Sequence, residues 1–424
     1  MSRLAAWYDA HRGHRTIVIV WISTRFLILV ILTAFERFVT GDVFYYHRKI
    51  NALFTAGLDR TLYEYPTPVV WILWLPYGAS FGIRVGYLVA FIVLMLALDA
   101  VFCYTLWRST GRRHDSAIDF WLIFAPLIGP LSYLRFDMLP AVLAGGALLA
   151  TRRKPWVTGA LTGLGAAIKL WPALLIGAFM SYKPDRRAAC LAFIVVGFGL
   201  ALISLIFGGW SRLMSPLIWQ SDRGLQIESI WATPLMVGRA VMPDHWIIDM
   251  SQYQAYEVFG PGAETWVTIS NVATLLGLAM IILLTVRAFR HDGSTPVAIG
   301  FVVLATVAIM IITNKTLSPQ YLLWLGGPMA TLLVFRQHAR PEEDRAIRRV
   351  AVQLLILALL TQLVYPVLYP GYLGRHGHAM IIISTVVTTI RNVALVVFTV
   401  EVCRMAWRML GAGVMERTAL TRRD

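Results

Sequence analysis

Long apolar runs recur along the whole chain, and most approach or exceed the roughly 20 residues that a helix needs to cross about 30 Å of hydrocarbon. Backbone N–H and C=O groups find no water in lipid, so such runs must be helical or belong to a closed barrel, and the weaker alternating pattern of a barrel is absent. Of 424 residues, 58% are hydrophobic and 14% are charged, and the mean hydropathy is +0.66. This composition excludes a soluble globular domain and points to an all-α polytopic membrane protein forming one integral-membrane domain, residues 1–424. About a dozen transmembrane or re-entrant helices are expected. The first apolar run, Thr16 to Phe35, has no small-residue cleavage site behind it and is expected to stay as a helix.

The net charge of +15 raises the possibility of a nucleic-acid partner, but the basic residues are placed for topology instead. Most of the 38 Lys and Arg fall in short loops on alternate sides of the apolar runs: Arg3, Arg12 and Arg15; Arg108, Arg112 and Arg113; Arg152 to Lys154; Lys183 to Arg187; Arg287 and Arg290; Arg336 to Arg349; and a basic tail over 404–424. By the positive-inside rule these loops and both termini are cytoplasmic, in the inner membrane, and no nucleic acid is expected. The three cysteines, Cys103, Cys190 and Cys403, show no ligand or redox spacing, so neither a disulfide nor a metal cluster is expected.

Two loops on the other side are long, 36–82 and 208–263. The first holds GDVFYYHRKINALFTAGLDRTLYEYPTP, which gathers Asp42, Asp59 and Glu64 beside His47, Arg48, Lys49 and Arg60. That is an unusual density of ionisable groups for a membrane protein's loop, and it is expected to be catalytic. Within it, Phe44 to Phe54 suits a helix lying along the interface. Several runs are too short to cross, among them Met138 to Ala150, Trp156 to Ile168 and Ala173 to Met180. They are expected as broken helices around a cavity.

Arg135, Lys169 and Lys315 each stand at the outer end of an apolar run, in LRFDMLP, IKLWP and NKTLSPQ. There they run against the topological preference and suit a buried anionic headgroup. The same positions also suit snorkelling to the interface or pairing with Asp137 and neighbouring carboxylates. Arg25 lies within an apolar helix and must face protein, a phosphate or a water-filled cavity.

A carboxylate beside a cation-lined lipid-phosphate site suits group transfer from that phosphate to a hydroxyl. Asp42 is the base of choice, with capping of the FYYHRK helix as its structural alternative. It precedes Val43 rather than a second acid, so no paired-carboxylate motif for a divalent ion is present, and no cofactor or metal is required. Arg223, Gln226 and Glu228 in SDRGLQIES, and the H-x-H pair His376 and His378, are further candidates for substrate contact.

The chain resembles the integral-membrane glycosyltransferases of the GT-C fold, and specifically glycosyltransferase family 87. The marks are Gly41-Asp42 followed by Tyr45-Tyr46, then Tyr65-Pro66-Thr67-Pro68, Lys169-Leu170-Trp171-Pro172, and Leu317-Ser318-Pro319-Gln320-Tyr321. The family's best-known actinobacterial members are polyprenyl-phosphate-mannose-dependent α-mannosyltransferases. The resemblance implies that Asp42 is the catalytic base, that the donor is a polyprenyl-phosphate sugar in the outer leaflet, and that the anomeric centre is inverted. It implies a glycolipid or lipoglycan acceptor, with Tyr45, Tyr46, Tyr65, Asp137, Gln320 and Tyr321 joining the substrate contacts. Many relatives have Tyr-Pro-Pro where this chain has Tyr65-Pro66-Thr67-Pro68, which leaves the sugar and acceptor open. An arabinofuranosyl donor is an alternative within the class. A lipid or solute transporter is the alternative outside it, with Arg25 and Arg391 lining a path.

Overall fold

The computed structural model describes residues 14–34, 37–112, 115–182, 186–290 and 295–420, the last nine of these by backbone alone. Glu36 at the start of the first long loop, and Arg3, Arg12, Arg113, Lys183, Arg422 and Arg423 among the basic residues, lie outside the described residues.

The helices that build the frame are α1 (His14–Ala34), α2 (Gly41–Asn51), α3 (Thr67–Ala79), α4 (Arg84–Ser109), α5 (Ser116–Ile128), α6 (Met138–Ala150), α7 (Pro155–Ile168), α8 (Leu175–Met180) and α9 (Arg186–Ser221). They are followed by α10 (Thr233–Val241), a hairpin of β1 (Ile247–Met250) and β2 (Tyr256–Phe259), then α11 (Ala263–Arg290), α12 (Pro296–Thr313), α13 (Leu323–Phe335), α14 (Pro341–Gln362) and α15 (His378–Leu420). Seven are long and apolar enough to cross a membrane: α1, α4, α9, α11, α12, α14 with its extension to Val367, and α15 to Gly411. The protein is an all-helical polytopic membrane protein whose only strands, among the described residues, are the hairpin's.

The starts and stops follow local chemistry. Proline stands in the first turn of α3, α7, α12 and α14, where its missing N–H costs nothing. Asp115 accepts from Ala117 N at 2.9 Å to cap α5, and Gly129, at φ 73°, ends it. The apolar run from Ala117 to Leu134 is therefore not one continuous helix. The structure differs from expectation at 208–263, where α9 bends at Gly209 (φ 71°) and continues to Ser221, so the first part of this long loop is helix.

Length and burial sort the helices. α13 is apolar all round and buried at every position, and α12 is nearly so, as expected of helices at the centre of a bundle. α9 lies at the edge of the bundle, with only 6% of its most apolar stretch fully buried, although it packs closely on α7, where a Cβ on Gly159 would stand 1.9 Å from Ala189 O. At the centre α6 and α13 touch backbone to backbone: a Cβ on Gly327 would stand 2.1 Å from Ala141 O.

The short helices decide where the cavity forms. Thirteen residues of α13 rise about 20 Å, well short of a bilayer. Like α13, α5, α6 and α7 stop or start part-way across, and the chain continues in extended backbone at Arg135 (φ −131°, ψ 142°), Lys169 (−137°, 133°) and Tyr365 (−133°, 121°). Non-helical backbone at that depth is tolerated only against protein or a polar cavity, and these segments surround one.

At the opposite end the basic loops come together. Arg336 donates to Ser116 Oγ at 2.6 Å and pairs with Asp344 at 2.5 Å. Arg349 pairs with Glu401 at 2.5 Å, and Arg287 donates to Trp407 O at 3.2 Å. Of the surroundings open to Arg25, the structure supplies protein: Asp99 accepts from its Nε (2.8 Å) and Nη2 (3.1 Å), and from Trp21, Trp121 and Tyr133. This buried cluster ties α1, α4 and α5 together and leaves neither charge uncompensated.

Candidate active site

The extended segments, α2, the end of α9 and the hairpin enclose a chamber of about 610 Å³. Asp42 enters it from the first turn of α2, where a carboxylate is favoured by the helix dipole. Thr40, not Asp42, occupies the cap position, so the capping alternative does not describe this aspartate. Its Oδ2 forms an ion pair with Arg135. The Asp42 side chain is 38% exposed, while that of Arg135 is 10% exposed.

Lys169, where α7 ends, also lines the chamber. Its Nζ lies 2.8 Å from Asp137 Oδ1 and within 5.0–5.8 Å of the ring centres of Phe136, Trp324, Tyr321 and Tyr65. Asp137 sits behind this wall, 1% exposed, and accepts a second bond from Trp324 Nε1 at 2.7 Å. The two cations thus face the chamber from points where helices break, and each is held by one carboxylate. An incoming phosphate would compete with those carboxylates for the same donors.

Tyr45, Tyr46, Tyr65, Arg223, Gln226, Glu228, Gln320 and Tyr321 line the same chamber, although they come from stretches far apart in sequence. Tyr45 Oη donates to Glu64 Oε1 at 2.7 Å. Burial, and then the adjacent Glu64 carboxylate, push the Tyr45 phenol above its ordinary value, so it stays neutral and donates this hydrogen bond. Gln226 Oε1 accepts from Leu317 N at 2.9 Å, and Arg223 Nη2 donates to Tyr253 O at 3.1 Å. Glu228 is 1% exposed, 3.5 Å from Arg391 Nη2, and burial pushes its carboxyl up to about 7 against the pull of Arg391. Two buried polar atoms at this wall, Gln320 Oε1 and Trp171 Nε1, have no hydrogen-bond partner.

Four of the candidate residues do not line the chamber: Asp137, which lies behind its wall, Lys315, His376 and His378. Lys315 turns away, and its Nζ donates to Ser221 O at 2.7 Å. It stands just past the end of α12, and its direction is set by the end of α9. His376 is exposed and outside the chamber. His378 begins α15, and its Nε2 lies 2.8 Å from Ala240 O, so the structure does not bring this pair to the chamber; no group of three or more His, Cys, Asp or Glu gathers as a metal site among the described residues.

The sequence reading missed several lining groups. Trp171, Trp324, Tyr365 and Tyr369 line the wall, and Trp324 stacks on Tyr321 (4.1 Å) and Trp171 (5.1 Å). Their signal was the cluster of Trp and Tyr beside Pro in short apolar runs. The hairpin tip, with Met250, Tyr253 and Gln254, carried no such signal.

A multi-pass helical frame whose broken helices present a carboxylate and two cations to one chamber is the architecture of a membrane glycosyltransferase. The chain belongs to glycosyltransferase family 87: the family's profile matches residues 63–311, more than half of its length. That stretch includes Arg135 and Lys169; Asp42 lies ahead of it. No curated protein matches the chain.

Proposed function

We propose that this glycosyltransferase moves a sugar, mannose by its resemblance to the family's actinobacterial members, from a polyprenyl-phosphate donor to a hydroxyl of a glycolipid or lipoglycan. The reaction is at the outer face of the cytoplasmic membrane. What carries this reading is the meeting of Asp42, Arg135 and Lys169 on one chamber.

The acceptor oxygen attacks the anomeric carbon, the bond from that carbon to the phosphate oxygen breaks, and the hydroxyl proton passes to Asp42. A single displacement of this kind inverts the anomeric centre. The lipid phosphate leaves with one more negative charge than it carried in the donor. Arg135 and Lys169 therefore bind it more strongly as the bond breaks, which is the condition for lowering the barrier. Arg135 is shared: a phosphate that takes its guanidinium releases Asp42 to receive the proton. Proton transfer to a positioned base is worth about 10²–10⁴-fold.

Two further features support a lipid-linked donor. An apolar groove of about 400 Å³ runs between α3, α7 and α9, lined by Pro68, Ala167, Phe193 and Phe198, and it shares Pro66, Leu170 and Pro216 with the chamber. It suits a prenyl chain whose phosphate reaches Arg135 and Lys169. The chamber also lies at the end of the bundle away from the basic loops, the outer end by the positive-inside rule.

The test is Asp42→Asn in purified protein supplied with a polyprenyl-phosphate sugar and membrane glycolipids. Transfer is expected to fall by about 10²–10⁴-fold with thermal unfolding unchanged. Transfer at the wild-type rate would remove Asp42 from the mechanism, and lipid or solute counter-flow without glycosyl product would favour a transporter.

A further inference from the structure

A second cavity, of about 350 Å³, lies beside the chamber and shares Tyr45, Glu64, Trp219 and Gln254 with it. Lys49, Asp59, Arg60, Tyr63 and Gln252 complete its lining. We infer that this groove binds the sugar residues of the acceptor, a neutral polyhydroxylated glycan that reaches the chamber from the aqueous side. The inference rests on the glycosyl-transfer reading above.

The lining chemistry selects the ligand. Asp59, Arg60, Gln252 and Gln254 are exposed to solvent, so a prenyl or acyl chain laid here would gain little burial. Two cations, Lys49 and Arg60, are matched by two carboxylates, Asp59 and Glu64, so the groove carries no excess charge to hold a phosphate. What remains is a set of amide, carboxylate and ammonium groups beside aromatic rings. A sugar offers its C–H face to an aromatic ring and its hydroxyls to groups that donate and accept. Trp219 is fixed for such a role, with Tyr63 edge-on at 6.2 Å and Tyr253 edge-on at 5.0 Å.

Position supports the same assignment. Asp42, Tyr45 and Lys49 occupy one face of α2, three and four residues apart. Asp42 lines the chamber, Lys49 lines the groove, and Tyr45 lines both. A glycan in the groove therefore extends along α2 toward the proposed base, with the Tyr45–Glu64 hydrogen bond at the junction. The prenyl groove meets the chamber elsewhere, at Pro66, Leu170 and Pro216, so donor and acceptor approach from different sides.

The experiment measures binding of neutral trisaccharides of mannose, of glucose and of galactose to the full-length protein in lipid nanodiscs, by saturation-transfer NMR. Tyr63 and Gln252 line the groove and not the chamber. At least one trisaccharide is expected to bind, with affinity falling about five- to tenfold in Tyr63→Ala, from the worth of one aromatic contact. Tyr63→Phe should retain most of it. Gln252→Ala, at the exposed hairpin tip, cannot unfold the bundle and should weaken binding several-fold, while affinity for a short-chain polyprenyl phosphate stays unchanged in all three. Failure of every trisaccharide to bind wild type at about 10 mM, or binding indifferent to these substitutions, would overturn the inference. Binding is read without turnover, so full activity in Asp42→Asn would count against the catalytic reading alone.

Discussion

Lys169 is both a buried ion-pair partner and a proposed phosphate ligand, and a pair of variants separates the two roles. Lys169→Met keeps the length of the side chain and removes its charge. Asp137, 1% exposed, would then retain the Trp324 bond and lose its counter-ion at 2.8 Å. Stranding one partner of a buried pair costs about 3–5 kcal/mol, and the 15% exposure of the Lys169 side chain places this case toward the lower figure. Adding Asp137→Asn removes the stranded charge while keeping a carbonyl to accept from Trp324, so stability should return to within about 1 kcal/mol of wild type. Sugar transfer should not return, because the cation that meets the leaving phosphate is still missing; one charge-assisted contact of about 1.5–3 kcal/mol corresponds to a loss of about 10- to 100-fold. The assays are thermal unfolding in detergent and release of lipid phosphate from a labelled polyprenyl-phosphate sugar. If the double variant recovers transfer together with stability, Lys169 only holds Asp137 in place and the two-cation account of the leaving group is wrong.

Two further predictions concern the fold. Gly327→Ala would put a methyl group 2.1 Å from Ala141 O, and it should destabilise the protein by about 1–3 kcal/mol or more; Gly199→Ala on α9, with nothing within 4 Å, is the control that should unfold like wild type. Glu228 has a carboxyl raised by burial from 4.5 to about 7, so the fold favours its protonated form, and that contribution is present at low pH and lost as pH rises through about 7. Wild type should therefore lose stability relative to Glu228→Gln between roughly pH 4.5 and 7, by about 3 kcal/mol in all, with little further change above; parallel unfolding curves across that range would contradict it.

The membrane class was legible because it rests on run length, and the first outer loop stood out because of its dense set of ionisable groups. Asp42, Arg135 and Lys169, singled out by local charge against the topological preference, come together on one chamber. Direction was not legible. Lys315 and Lys169 share the same local setting, yet one faces Ser221 O and the other the chamber, a difference set by how α9 packs. The partner of Arg25 is 74 residues away at Asp99, beyond any local pattern. The continuation of α9 past Gly208-Gly209 was hidden because two adjacent glycines read as an end, whereas only Gly209 leaves the helical conformation.

The outward face of α9 has a practical consequence. One face of α9 packs on α7, but the other, with few fully buried positions, meets the surrounding lipid tails, and its far end supplies Trp219 and Gln220 to the chamber wall. Stripping the annular lipid during purification should loosen this helix first, and preparations that keep native lipid around it are the ones in which to measure substrate affinity.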